Sequence, residues 1–460
     1  MCAAVAAAVT ADEPRRPNVV LVLADDMTLA DLQALPHTRE LIGAAGTTFT
    51  ESVVSYALCC PSRATILTGQ YAHNHGVRSN RWPGGGYLAF RDEQALPAWL
   101  AKAGYHTVHI GKYLNGYGLL TPTEVPVGWT DWQGLVDPST YRMYGYTLNN
   151  NGSLVTYGKA ESDYQTDVIS IRARDAINRF AGDGPFFLQI APLAPHAESA
   201  EPAGEGFVRA APRHAGMFTD LALPRGASFD EADVSDKPRL QQARPRLDAN
   251  AVAALEALHR DRWRALAAVD ELIVGVVGEL DRHNILDNTV IIVTSDNGFF
   301  LGEHRVPGGK YLPYEPAIRV PLIVRGPGFR AGGVVSALAA NVDIAATIAE
   351  VTGVTPGQEQ DGISLLALER DEAAYASRAV LLEGLETGVD YMPPFLGVRT
   401  ATHKYIRYLN GEVELYDLKA DPDELDNLAG RSSAAGIEAE LSDLLVGLTN
   451  CAGGSCRAAP

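Results

Sequence analysis

The chain has 460 residues, 46% hydrophobic and 20% charged, an ordinary globular balance with length for two or three domains or one large α/β unit. Its formal charge of −18 argues against a nucleic-acid partner, which needs basic patches. It does not exclude an anionic substrate, because a metal and a few Lys, Arg or His reverse the sign of a single cleft.

The start, Met1–Ala11, is small and apolar. It ends in Val-Thr-Ala like a signal-peptidase site but lacks a basic leading region. Residues 1–16 are therefore read as the remnant of a secretion signal or as a disordered N-terminus. No later stretch has the roughly 18 uninterrupted apolar residues of a spanning helix, so no integral membrane segment is expected.

Asn18–Ala24 is a continuous apolar run, as in a strand buried on both faces of a parallel sheet. Similar runs lie at His106–Ile110, Phe186–Ile190, Val290–Thr294 and Pro321–Val324. Amphipathic stretches separate them, the clearest over Asp261–Leu280, with Trp263, Leu266, Val269, Leu272, Ile273, Val276 and Leu280 at helical spacing. This alternation predicts an α/β fold: a large, mainly parallel sheet flanked by helices. Ala200–Asn250, rich in Pro, Ala, Arg and acids, reads as a long surface excursion.

Past Ser377 the pattern changes. Gly397–Arg407 and Glu412–Asp417 read as antiparallel strands joined at Asn410-Gly411, and Ser432–Leu448 reads as a helix. The expected division is a catalytic domain over 17–376 and a smaller α+β domain over 377–460. Cys451 and Cys456 flank a short loop that can close as a disulfide, which suits an oxidising compartment. Cys59 and Cys60 are poor partners for each other, since vicinal disulfides are strained and rare.

Polar clusters follow four of the apolar runs: Asp25-Asp26, Gly111-Lys112, Pro195-His196 and Asp296-Asn297-Gly298. In an open α/β sheet, ligands bind beyond the carboxyl ends of the strands, so these clusters are expected to share one edge. Asp25, Asp26, Asp296 and Asn297 offer hard oxygen ligands, which suit Ca²⁺ or Mg²⁺ rather than zinc. In Cys59-Cys60-Pro61-Ser62-Arg63, Pro61 suits a helix N-terminus, and Ser62–Gln70 reads as the helix, placing Cys59 where backbone N–H groups favour negative charge.

That segment, continued through Thr68-Gly69, resembles the type I sulfatases of the alkaline-phosphatase-like superfamily, whose signature Cys-x-Pro-Ser-Arg it matches throughout. The resemblance extends over Asp25-Asp26, over Thr294–Gly298, through Leu301–His304, Lys310 and Val320–Gly328, and into Glu414–Leu418 with Asp421–Leu428. It implies that a formylglycine-generating enzyme converts Cys59 to Cα-formylglycine. The hydrated aldehyde is then the nucleophile and a further metal ligand beside Asp25, Asp26, Asp296 and Asn297. Arg63 would hold the formylglycine oxygens, Lys112 and Lys310 would grip sulfate, and His196 would protonate the leaving alcohol.

Many members carry a His shortly after the Gly-Lys, where this chain has Asn115. In this it is similar to the N-acetylglucosamine-6-sulfatase and heparan endosulfatase branch. Asn115 can orient a diol but cannot take its proton, a role for which His75 is the candidate, although His73 and His75 also fit surface or capping positions. His304 is either a substrate-rim residue or structural. The expected function is hydrolysis of the sulfate ester of a carbohydrate by a secreted or periplasmic enzyme, with Ca²⁺, or else Mg²⁺, at the site. The alternatives are a phosphonate monoester or phosphodiester hydrolase on the same scaffold and a non-catalytic binding protein.

Overall fold

The structure, a computed structural model, describes residues 16–199, 207–385 and 393–457. All but the last residue of the N-terminal segment set apart above falls outside these. Four parallel strands form the middle of a ten-stranded sheet, side by side in the order Thr289–Ser295, Asn18–Ala24, Phe186–Ala191 and His106–Gly111. Successive side chains of a strand point to opposite faces. Val19, Leu21 and Leu23 accordingly enter one core layer, and Val20, Val22 and Ala24 enter the other. Burial on both faces is what a strand covered by helices on each side requires.

Asp131–Leu135 continues the parallel set, and Thr147–Asn150 with Ser153–Thr156 closes that edge as an antiparallel hairpin. On the other side Leu322–Arg325 runs antiparallel to both its neighbours, Thr289–Ser295 and Thr47–Phe49. The sheet is thus mixed but mostly parallel. The helix expected over 261–280 begins about three turns earlier and spans Ala249–Arg282. Its first turns are too rich in Ala and polar residues to show an apolar stripe. They are held instead by Asp248, whose side chain accepts the Ala251 N–H at 2.8 Å. Leu266, Val269, Leu272, Ile273, Val276 and Leu280 pack this helix against the sheet. The described part of the excursion after residue 200 holds only two short helices, Pro212–His214 and Arg239–Gln242, before Asp248.

A second sheet, all antiparallel, takes Ala379–Gly384, Phe395–Thr400, His403–Tyr408 and Val413–Asp417 in sequential order. The stretch 397–407, expected as one strand, is two, because the chain reverses at Ala401 and Thr402. Asn410-Gly411 joins the next pair as expected, with Gly411 at φ 90°. Helix Ala435–Thr449 packs on this sheet, and the Cys451–Cys456 disulfide follows it. One core cluster joins the small sheet to Val53, Val54, Tyr56, Leu58 and Tyr71, so the small sheet supports the chain on both sides of Cys59 and Cys60. Among the described residues, no helix is long and apolar enough to cross a membrane.

Candidate active site

The four central strands end at one edge of the large sheet. Asp25-Asp26, Lys112 and Asp296-Asn297 follow directly on three of them, and His196 comes shortly after Ala191. Cys59 begins the helix Cys59–Thr68, after an extended Leu58 (φ −149°, ψ 137°). Pro61 sits in the first turn, where no backbone donor is needed, and Gly69 ends the helix at φ 67°. The Cys60 N–H donates to Asn80 Oδ1 at 2.9 Å. Arg63, one turn on from Cys59, points the same way.

The side chains interlock. Arg63 Nε donates to Asp296 Oδ2 (2.7 Å) and Arg63 Nη1 to the Lys112 carbonyl (2.8 Å), while its Nη2 lies 3.6 Å from Asp25 Oδ2. Lys112 pairs with Asp25 and Lys310 with Asp26. Cys59 Sγ lies 2.9 Å from Lys310 Nζ and 3.6 Å from Asp25 Oδ1. Asp26, two residues past its strand, lies in the left-handed region (φ 68°), with its N–H donating to Asp296 Oδ1 at 3.1 Å. Asn297 Nδ2 donates to Asp26 Oδ1 at 2.6 Å. His196 donates through Nδ1 to the Ala197 carbonyl at 2.7 Å, and its Nε2 lies 3.7 Å from Asp26 Oδ2.

Three carboxylates here face three permanent cations, all buried or nearly so. Burial opposes the charge on Asp25, but Lys112, His196, Arg63 and Lys310 hold its carboxyl well below the usual range. Asp296, raised by burial and by neighbouring Asp25, reaches about 6 in spite of Arg63. Burial pushes the Cys59 thiol up to about 12, Lys112 and Lys310 offsetting only part of it. A thiol held neutral in this way is a poor nucleophile near neutral pH.

The cluster fits a cation. Ligand atoms of Asp25, Asp26, Cys59 and His196 all lie within 4.8 Å of one another. The Asn297 amide oxygen is buried without a hydrogen-bond partner, a cost that a cation would remove. Added positive charge would also relieve the crowding that raises Asp296.

Asp25, Asp26, Cys59, Arg63, Lys112, His196, Asp296, Asn297 and Lys310 are thus brought together as expected. Asn115 lines the same cleft, of about 510 Å³, and its Nδ2 donates to the Tyr141 hydroxyl at 2.6 Å. His75 does not reach it. Its Nδ1 accepts the Val77 N–H at 3.1 Å and its Nε2 lies 3.0 Å from Thr65 Oγ1, about 9 Å further along the helix than Cys59. Burial also lowers its pKa to about 3. His304 is structural rather than a rim residue: its Nδ1 lies 2.7 Å from Glu231 Oε2, and its ring packs on Tyr314 with centroids 4.4 Å apart.

Sequence reasoning missed Tyr141 and Asn80. Lys112 Nζ lies 4.7 Å from the centre of the Tyr141 ring, a cation–π contact. Tyr141 ends a single 3-10 turn, Ser139–Tyr141, too short to show periodicity, and Asn80 is defined only by the Cys60 N–H it meets in space.

Residues 17–354 match the family Sulfatase, and residues 302–450 match the family N-sulphoglucosamine sulphohydrolase, C-terminal. The chain belongs to the sulfatase family. It is 34% identical to the N-acetylglucosamine-6-sulfatase of Capra hircus, over 96% of this chain and 85% of that one. It is equally identical to an arylsulfatase of Volvox carteri, over 98% and 77%. A protein solved in complex with its substrate D-glucosamine-2-N,6-O-disulfate superposes with TM-score 0.78 at 26% identity, covering 94% of this sulfatase and 97% of that chain. This sulfatase is a sulfuric ester hydrolase. The family typically works with a formylglycine and a metal, for which the cluster at Asp25, Asp26, Cys59 and His196 is the candidate site.

Proposed function

We propose that this sulfatase hydrolyses the sulfate ester of a carbohydrate, with residue 59 as formylglycine and Ca²⁺, or else Mg²⁺, held by Asp25, Asp26, Asp296, Asn297 and residue 59. The observation that carries this reading is the setting of Cys59. It is buried at a helix N-terminus against Lys310 and Asp25, in a form that burial keeps from acting as a plain thiolate. Support for the carbohydrate comes from the Capra hircus relative's name and from the sulfated glucosamine bound by the solved relative.

When present, the formylglycine hydrate supplies one hydroxyl to attack sulfur and a second to release sulfate, and the metal offsets charge on the ester. The remaining work falls to fixed side chains. Arg63, tied to Asp296 and to the Lys112 carbonyl, orients residue 59. Lys112 and Lys310 hold sulfate oxygens with charges that need no rearrangement. His196, its Nδ1 occupied by the Ala197 carbonyl, has Nε2 left to protonate the leaving alcohol. The catalytic unit is placed at 17–376 and the small domain at 377–460. The Cys451–Cys456 disulfide supports a secreted or periplasmic location, where the chain would arrive after a formylglycine-generating enzyme has acted.

Mass analysis of the peptide containing residue 59, from enzyme made with a formylglycine-generating enzyme, should show loss of the thiol in favour of the aldehyde, with Cys60 unchanged. Chelation should abolish turnover and Ca²⁺ or Mg²⁺ restore it. Full activity of Cys59→Ala, or of stringently metal-free enzyme, would sink the mechanism.

A further inference from the structure

Four large apolar side chains stand exposed around the mouth of the catalytic cleft. Trp82 is 64% exposed, Leu88 51%, Leu119 58% and Leu120 72%. All four line the same cleft whose floor holds Cys59, Lys310 and His196. Exposed apolar residues scattered singly need no explanation, but a group gathered on the wall of one groove marks a surface that something covers.

The two loops that carry them are braced rather than loose. Around Trp82, the Arg78 N–H donates to the Gly84 carbonyl (2.8 Å), Gly85 to Arg81 (2.8 Å) and Gly86 to Ser79 (3.0 Å). A Cβ on Gly85 would lie 1.9 Å from the Ser79 carbonyl oxygen, so the turn closes as tightly as glycine allows. The Tyr87 N–H then donates to the Asn115 carbonyl at 2.8 Å, tying this loop to the one bearing Leu119 and Leu120. That second loop is held by the Gly116 N–H donating to Asp137 Oδ2 at 2.6 Å. An apolar wall fixed before binding costs little to order when a ligand arrives.

Charge around the mouth points the same way. Among the described residues lining the cleft, the basic side chains are Arg81, His196 and Lys310, with Asp137 opposing them. The last two basic groups belong to the sulfate end, so among the described lining residues only Arg81 is left to lead away along a polyanion.

We infer that the cleft selects a short, singly sulfated ester whose leaving alcohol carries a ring with a flat apolar face, seated against Trp82 and flanked by Leu88, Leu119 and Leu120. This rests on the proposed sulfate-ester chemistry and specifies the body of its substrate. The shared feature is the ring face, which the C–H face of a pyranose or an aryl ring supplies. Trp82 is then a specificity-determining residue acting on binding of the ring and not on the chemical step.

The test compares wild-type, Trp82→Ala and Trp82→Phe enzymes on N-acetylglucosamine 6-sulfate, 4-methylumbelliferyl sulfate and a polysulfated heparin tetrasaccharide, with inorganic sulfate as a competitive inhibitor. Losing one ring contact should raise KM roughly 10-fold on the ring-bearing monosulfates with kcat nearly unchanged. Trp82→Phe should recover most of the loss, and inhibition by inorganic sulfate, which cannot touch the wall, should stay the same. The pyranose and aryl arms show which ring the wall prefers, and a Trp82 effect in either supports the inference. Wild-type kcat/KM should be lower on the tetrasaccharide than on the monosulfates. Unchanged KM in Trp82→Ala, equal weakening of inorganic sulfate, or wild-type preference for the tetrasaccharide would overturn the inference while the sulfatase chemistry stood. Absence of sulfate release from every ester by formylglycine-bearing wild type would instead remove the proposed function on which it rests.

Discussion

With Nδ1 of His196 donating to the Ala197 carbonyl, only Nε2, on the side of Asp26, is left to exchange a proton with substrate. If that nitrogen protonates the departing alcohol, its value depends on how badly the alcohol needs help. His196→Ala should slow hydrolysis of a sugar sulfate by roughly 10²–10⁴-fold. An aryl sulfate, whose phenolate leaves unaided, should lose far less. Equal losses on the two substrates, measured as kcat, would move His196 to a sulfate-binding role. At this scale the sequence made chemistry legible where residue type and a neighbouring strand coincided, as at Asp25, Lys112 and Asp296. It left His75 and His304 each with a functional and a structural reading, because the identity of a histidine says nothing about what its two nitrogens meet.

At the ends of the central strands the chains approach too closely for a side chain at one position. Gly111 pairs with Ala191 across the sheet and has φ 113°. A Cβ there would lie 2.2 Å from the Ala191 carbonyl oxygen, and that same carbonyl accepts the Lys112 N–H at 2.8 Å. Gly111→Ala should therefore cost roughly 1–3 kcal/mol from overpacking, with backbone strain of similar size added. It should also displace Lys112 from Asp25. Urea unfolding and kcat/KM measured on one preparation should fall together, and a variant with normal stability and rate would refute the role given to this contact.

The small sheet is tied to the nucleophile segment through a carboxylate. Glu383, 1% exposed, accepts the Ala72 N–H (2.7 Å), the His73 N–H (3.1 Å) and His73 Nδ1 (3.0 Å), just beyond the helix that Cys59 begins. Glu383→Ala leaves buried donors unpaired and should destabilise the whole molecule by about 3 kcal/mol, with Glu383→Gln milder. Burial works against the charge on His73, but Glu383, joined by the Cys451 carbonyl and Asp361, raises its pKa above the usual 6.5. A raised histidine stabilises fully below its unfolded value, and that share is lost as pH rises through the folded one. Wild type should thus lose this stability as pH rises from about 6.5, and Glu383→Ala should lack that component. Parallel pH profiles of melting temperature in the two proteins would contradict the linkage.

Local sequence determined which segments are buried strands, that the residues just past them meet at one edge, and that a helix starts close to Cys59, although that helix spans Cys59–Thr68 rather than the expected Ser62–Gln70. Each follows from side-chain period, chain direction and the demands of a helix start, which are properties of a few consecutive residues. The antiparallel course of Leu322–Arg325 was decided by partners distant in sequence, since an apolar run carries no sign of its neighbour's direction. The same holds for Tyr141 against Lys112, for the orphaned oxygen of Asn297, and for the wall formed by Trp82, Leu88, Leu119 and Leu120. These depend on which loops the fold lays over the sheet edge, and only the assembled core sets that.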